Sequence, residues 1–234
     1  MNQPVDDVQK RFAGAGTTWF ENALPMEKLP LLTAVVGRFN HDLRTPLNTI
    51  AGWAHVLQQT ASETARTGHI ADVFARNVRE ETVLLEEFVD DARILLDALK
   101  LEPAEVSAGE LLTAAATRIK PLLDTHEVRL ESHLDGGDIT LEADRARTIR
   151  LVYRLLMVAV RRAPEGSDVR LGARAAESHL EIDILAPAKA PHFEHGELLD
   201  LRIASAVAFL GRATLEIGAP DRGSRFELRL ALHG

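Results

Sequence analysis

Two long apolar series at helical spacing constrain the fold of this chain more than any other feature. Apolar residues recur every three or four positions from Pro30 to Leu57, and a second series runs from Ile70 to Leu99 before Pro103 stops it. Polar and small residues at 58–68 separate the two series. We predict two long amphipathic helices in an antiparallel hairpin. A lone hairpin cannot cover its own apolar stripe, so we expect two copies to form a dimeric four-helix bundle.

The pattern changes after Pro103. Ser107 and Glu110 form a capping box, which predicts a helix to about Asp124. The later pattern predicts strands at 128–132 and 139–142 joined across 135–137, a helix at 144–162, strands at 169–174 and 180–185, a helix at 197–210, and a hairpin of 214–217 with 225–230. This order predicts an α+β fold with a mixed sheet and helices on one face. We therefore divide the chain into an appended segment (1–29), a helical hairpin (30–102) and an α+β domain (103–234).

Composition excludes several classes of function. The chain has 234 residues and no cysteine, which removes disulfides, thiol nucleophiles and cysteine-based metal sites. Its formal net charge is -8, so we expect neither nucleic acid nor an anionic membrane surface as a partner. The longest aliphatic run, 155–160, is far shorter than the roughly 20 residues of a membrane-spanning helix. We expect a soluble cytoplasmic protein.

The candidate chemistry of the first helix centres on His41. At about 100° per residue, His41, Thr45 and Asn48 share the side opposite the apolar stripe, so the imidazole should face solvent or a partner. A solvated imidazole is partly neutral near pH 7 and offers a nucleophilic nitrogen, while Asp42 can orient or deprotonate the other nitrogen. Pro46 removes an internal hydrogen bond and predicts a local bend. Helix geometry alone leaves a surface histidine without chemistry as the alternative.

The segment 41–48, HDLRTPLN, resembles the phosphoacceptor box of sensor histidine kinases, and the helix that continues past Trp53 is similar to the same helix in hybrid kinases. The resemblance implies that the hairpin dimerises and that His41 is phosphorylated. It also implies that Asp42 supports proton handling and that Thr45 positions a water molecule or a partner's carboxylate.

The second domain resembles the GHKL-type ATP-binding domain of the same kinases. The run 144–171 aligns without gaps to the family's asparagine-box helix, and the segment 221–226 resembles its closing hairpin. In that register Val158 replaces the asparagine that holds Mg²⁺, Arg154 lies one turn earlier, and Arg161 replaces a lysine. A valine side chain offers no ligand to magnesium.

Two further parts of the nucleotide site depart from the family pattern. The strand 180–185 runs into APAKA instead of Asp-x-Gly-x-Gly, and Asp183 lies inside the strand pattern, where it cannot replace the missing acid. The second glycine box reads GELLDL from Gly196, so its phosphate-cradling glycines are almost gone. We therefore expect no ATP, no other cofactor and no metal bound by this chain.

The sequence allows more than one role for three arginines and two histidines. Arg154, Arg161 and Arg162 could together hold another anion, but arginines on a helix of an acidic chain are more often solvated or paired with carboxylates. His192 and His195 are three residues apart, as some metal ligands are, yet no third ligand has suitable spacing. We treat both histidines as ordinary loop residues.

These features together predict a histidine phosphotransfer protein of a bacterial two-component phosphorelay. His41 would accept a phosphoryl group from a receiver-domain aspartate and pass it to another receiver, with Mg²⁺ supplied by the receiver. ChpT-type histidine phosphotransferases, which this chain resembles, also combine a kinase-type hairpin with a degenerate ATP-binding domain. Expected partners are receiver domains of response regulators and hybrid histidine kinases, and a second copy of the chain.

Three alternatives remain open from the sequence. The first is a non-catalytic pseudo-histidine-kinase that binds and regulates a kinase or a response regulator. The second is an active kinase with a divergent nucleotide pocket, which the lost motifs disfavour. The third, compatible with phosphotransfer, is a receiver phosphatase that acts through Thr45.

Overall fold

A computed structural model describes residues 25–59, 64–96, 99–137, 139–218 and 223–232. Residues 1–24 of the expected appended segment 1–29 lie outside the described residues. Pro25 already belongs to a helix. The chain divides into a hairpin unit, Leu24–Leu99, and a second compact unit that contains Lys100–Gly234. Among the described residues, no helix combines the length and the apolar character needed to cross a membrane.

The hairpin unit consists of two long helices, as the apolar series predicted. Helix α1 spans Pro25–Gln59 and helix α2 spans Thr64–Leu95. The first helix begins at Pro25 instead of Pro30, because Pro25 occupies the first turn, where a missing N–H costs nothing. It continues without a break through Pro46. The rings of Phe39 and Phe88 stack between the helices, with 4.1 Å between their centroids.

The second unit is built on a mixed five-stranded sheet. Its elements are β1 Ala104–Ser107, α3 Ala108–His126, β2 Arg129–Asp135, β3 Thr140–Ala143, α4 Arg145–Arg162, β4 Asp168–Ala175, β5 His179–Ala186, α5 His195–Leu210, β6 Thr214–Ile217 and β7 Ser224–Ala231. The sheet has the order β2-β4-β5-β7-β6, with β2 and β4 parallel and the other neighbours antiparallel. The predicted mixed sheet is confirmed.

Two features of the second unit differ from the sequence prediction. The strands on either side of 135–137 are not neighbours, because β2 joins the large sheet while β3 pairs with β1. The sequence pattern missed β1, whose single buried apolar residue is Val106. The predicted cap of α3 is present, since the Ser107 hydroxyl accepts a hydrogen bond from the Glu110 N–H at 3.1 Å.

The two faces of the large sheet have opposite character. Helices α3, α4 and α5 lie side by side and each contacts the sheet. Alternate strand residues form the core, among them the cross-strand row of Leu171, Ile184 and Phe226. The next row, on the other face, contains Asp183 and Glu227, and on this face Arg229 pairs with Glu227 and Arg174 with Glu181. The helices therefore pack on the apolar face, as expected.

Candidate functional site

His41 stands out from the surface of α1. Its side chain is 84% exposed, which confirms the predicted orientation, and its Nδ1 lies 3.2 Å from Oδ1 of Asp42. If the Asp42 carboxylate accepts a hydrogen bond from Nδ1–H, the lone pair of Nε2 is free to act as a nucleophile. The pair thus presents the imidazole at the protein surface.

Thr45 and Asn48 are exposed on the turns that follow His41, as the helical spacing predicted. The Thr49 hydroxyl donates a hydrogen bond to the Thr45 carbonyl at 3.0 Å, and the Pro46 ring between them is buried. Thr49 therefore satisfies a backbone carbonyl close to the proline, while the Thr45 side chain remains accessible to a partner.

Charged side chains of the chain itself fill the end of α4 in the second unit. The Arg162 guanidinium is 2% exposed and donates from Nη1 to Oε2 of Glu197 at 3.2 Å. It also donates to the Ala190 carbonyl at 2.8 Å and to the Ser224 hydroxyl at 3.1 Å, and it lies over the Phe193 ring. This one side chain therefore ties α4 to the loop 187–194, to α5 and to β7.

A second buried ion pair lies on the same two helices. Arg154 donates to Oδ1 of Asp200 at 3.2 Å, and both side chains are buried. Arg161, which is partly exposed, lies 3.6 Å from the other oxygen of Asp200. Of the two alternatives for these arginines, the structure thus shows pairing with carboxylates.

The residues at this end of α4 do not fit a magnesium–nucleotide group. Val158 is completely buried and offers no oxygen. The segment expected to cradle phosphates forms the first turns of α5 instead, where Glu197 accepts a hydrogen bond from the Glu194 N–H at 2.8 Å. Glu197 therefore caps its own helix and neutralises Arg162, so a carboxylate stands where the resemblance places phosphate.

Carboxylates on the outer face of the sheet form a group that the sequence analysis did not identify. Ligand-type atoms of Glu181, Asp183 and Glu227 lie within 4.8 Å of one another. Arg174 lies 2.9 Å from Glu181, and Arg229 pairs with Glu227. The hydrogen bond from Arg174 holds the pKa of Glu181 below its ordinary value. The arginines neutralise this group, and its members were not recognisable because they come together only when β5 pairs with β7.

The side chains of His192 and His195 lie at the surface of the second unit. His192 lies in the loop before α5 and is exposed, and its carbonyl accepts a hydrogen bond from Arg162. His195 is the exposed first residue of α5. Burial, followed by the charges of Lys189 and Arg161, lowers the pKa of His126 at the end of α3.

Comparison with known proteins shows a similarity to histidine kinases of two-component signalling. No protein-family model matches the chain. The histidine protein kinase DivJ of Caulobacter vibrioides is 25% identical over 170 residues, which are 69% of this chain and 28% of DivJ. The alignment with the structure of a histidine kinase from Burkholderia phymatum covers 98% of this chain and 99% of that kinase chain, with a TM-score of 0.55 and 21% identity. The chain is histidine kinase-like.

This histidine kinase-like chain is also similar in fold to a kinase whose structure includes a response regulator. This kinase is ThkA, which was solved in complex with the response regulator protein TrrA. The alignment covers 92% of this chain and 66% of the ThkA chain, with a TM-score of 0.53 and 17% identity. The mixed sheet and the helices of the second unit resemble those of the histidine kinase GHKL domain. The chain spans little more than a quarter of the length of DivJ.

Proposed function

We propose that this chain is a histidine phosphotransfer protein of a bacterial two-component phosphorelay. His41 accepts a phosphoryl group from a receiver-domain aspartate and returns it to a second receiver. The observation that carries the proposal is a contrast between the two units. The exposed His41–Asp42 pair retains what phosphoryl acceptance needs, whereas Arg162 and Glu197 fill the end of α4 with a buried ion pair.

The proposed transfer needs one nucleophile and one leaving group. Nε2 of His41 attacks phosphorus in line, and the N–P bond forms as the P–O bond of the receiver's acyl phosphate breaks. The electron pair of the broken bond leaves with the receiver's carboxylate. The proton on Nδ1 remains shared with Asp42, whose charge stabilises the imidazolium that forms. The return step reverses these changes on another receiver.

The proposed partners follow from the chemistry and from one relative. Phosphoryl transfer between a carboxylate and an imidazole needs a divalent cation near the phosphate, and we assign that Mg²⁺ to the receiver. ThkA has been solved with a response regulator, which supports receiver domains of response regulators and hybrid kinases as partners of this chain. Thr45, exposed one turn after His41, would position the receiver's carboxylate or a water molecule.

We further propose that two copies of the hairpin form a four-helix bundle. Large apolar side chains of both helices remain exposed on the single hairpin, namely Val36, Leu47, Val78, Val83 and Leu85. Val36 and Leu47 share one face of α1, and Val78 and Leu85 share one face of α2, and exposed apolar faces of this kind are usually covered by a partner. A second copy offers the same apolar stripe and would cover it by helix packing.

A pair of labelling assays tests the proposed function. Purified protein is incubated with labelled Mg-ATP and, separately, with a panel of receiver domains carrying labelled aspartyl phosphate. We expect label to enter only from a receiver and to be lost in His41→Ala. His55→Ala, which removes another exposed histidine of α1, is the matched control and should retain the label.

Two results would contradict the proposal. Label from Mg-ATP in the wild-type protein, absent in His41→Ala, would identify an active kinase with a divergent pocket. Absence of label from either source, together with tight binding to a receiver, would favour the non-catalytic pseudo-histidine-kinase.

A further inference from the structure

An ion pair joins the two helices of the hairpin one turn before the phosphoacceptor residue. Nη2 of Arg38 on α1 lies 3.4 Å from Oδ2 of Asp91 on α2. The Asp91 side chain is 4% exposed, and a carboxylate at such a depth requires a cation or hydrogen-bond donors to remain ionised. Arg38 supplies the cation from the outer edge of the interface, where its side chain is still partly exposed.

A small cavity connects this ion pair to Asp42. The cavity has a volume of about 30 Å³, and its walls include Arg38, Asp42, Glu87 and Asp91. Three of these four residues are carboxylates, so Arg38 is the cation toward which they converge. Asp42 therefore has two neighbours of different kinds, the exposed imidazole of His41 on one side and this charged cavity on the other.

Helix geometry places Arg38 and Asp42 close together on α1. The two residues are four apart on α1 and so lie on the same face in consecutive turns, where opposite charges attract. The stacked rings of Phe39 and Phe88 also line the cavity and oppose rotation of α1 about its axis. Arg38 and Asp42 thus border the same small cavity from consecutive turns of α1.

We propose that Arg38 is a positioning residue of the phosphoacceptor site, an inference that rests on the function proposed for His41. With Asp91 as its anchor, Arg38 holds the Asp42 carboxylate so that one oxygen accepts the Nδ1–H of His41. The hydrogen bond made by one ring nitrogen decides which nitrogen carries the proton. Arg38 thereby keeps the proton on Nδ1 and leaves the Nε2 lone pair directed toward the receiver.

Nitrogen NMR of the imidazole measures this arrangement without any phosphoryl donor. The full-length protein, labelled with ¹⁵N-histidine, reports the position of the proton in neutral His41 through the shifts of Nδ1 and Nε2. We expect the Nδ1–H form to predominate in the wild-type protein and to give way to Nε2–H in Arg38→Gln. Arg76→Gln removes an exposed arginine of α2 and should leave the shifts unchanged. Transfer from a phosphorylated receiver should slow roughly tenfold in Arg38→Gln.

Two double variants distinguish a role of Arg38 in positioning Asp42 from a role in holding the two helices together. Arg38→Gln with Asp91→Asn removes both charges of this ion pair, so Asp91 is not left ionised without Arg38, and the test holds even where Arg38→Gln alone fails to fold. Arg38→Asp with Asp91→Arg restores an ion pair between the helices but places a negative charge one turn before Asp42. We expect both double variants to fold and neither to recover the Nδ1–H form.

The outcomes distinguish this inference from the proposed function. Wild-type shifts in the charge-exchanged variant, or unchanged shifts in Arg38→Gln, would show that Arg38 only braces the helices and would overturn the inference. Loss of the Nδ1–H form in Arg38→Gln supports the inference even where no receiver transfers label to His41. In that case the proposed phosphotransfer fails and the positioning of the imidazole stands.

Discussion

Arg162 and Glu197 form a buried ion pair between α4 and α5, with 3.2 Å between Nη1 and Oε2. By resemblance, Glu197 lies in the segment that cradles phosphate in GHKL domains. The carboxylate therefore supplies, from within the chain, the negative charge that a nucleotide would bring. Glu197 thus neutralises the Arg162 guanidinium within the folded second unit.

We predict that Arg162→Met destabilises the second unit by about 3 kcal/mol, because it leaves the Glu197 carboxylate buried without its cation. Hydrogen exchange of the α4 and β5 amides, followed by mass spectrometry, measures the loss of stability of this unit alone. Arg145→Met is the matched control on the same helix. Its contact with Glu110 is exposed and 3.9 Å long, so the change should cost below about 1 kcal/mol. Equal losses in the two variants would contradict a special role for Arg162.

We predict that Val158→Asn does not create an ATP site. The substitution returns the residue type expected by resemblance, but Arg162, Glu197 and the Arg154–Asp200 pair still occupy the surrounding space. A buried carboxamide without partners should instead destabilise the unit by about 1 to 3 kcal/mol. Isothermal titration with Mg-ATP and a thermal melt check both statements. Saturable binding of Mg-ATP by the variant would show that Val158 alone had blocked the site.

The hairpin was predictable from sequence because its signal is local and repeats over many turns. The spacing of apolar residues placed His41 on the exposed side of α1, and the structure confirms that position. The start of α1 was less predictable, since Pro25 and Pro30 are both compatible with a first turn. The four-residue strand β1 was missed because so short a segment shows no clear alternation.

Strand partners and buried charges could not be predicted in the same way. The sequence around 135–137 is compatible with a hairpin, but β2 pairs with β4 instead, and that choice depends on packing against distant elements. Arg162 and Glu197 are both charged residues in helices, so nothing local distinguishes them from solvated residues. Their burial follows from the meeting of α4 and α5, which are separated by two strands.

The outer face of the sheet should show a specific dependence on pH. Arg174 lowers the pKa of Glu181 below its ordinary value of 4.5, and Asp183, Glu227 and Arg229 also face this carboxylate. A lowered pKa stabilises the fold above pH 4.5, and this stability is lost as the pH falls through the folded-state pKa. We expect Arg174→Met to have a lower thermal midpoint than wild type at pH 7. The difference should shrink toward pH 3, and a difference that stays constant with pH would contradict this account.

We predict that Leu47→Glu converts a dimer into a monomer. The Leu47 side chain is 49% exposed on the single hairpin and Leu85 of α2 is 51% exposed, so both are available to a second copy. A carboxylate at position 47 would be buried without a partner in the proposed four-helix bundle, at a cost of several kcal/mol that favours dissociation. Sedimentation equilibrium of the full-length protein measures the change. His55→Glu, which introduces the same charge at an exposed polar position of α1, should remain dimeric. A wild-type monomer, or a dimeric Leu47→Glu variant, would show that this apolar surface does not join two copies.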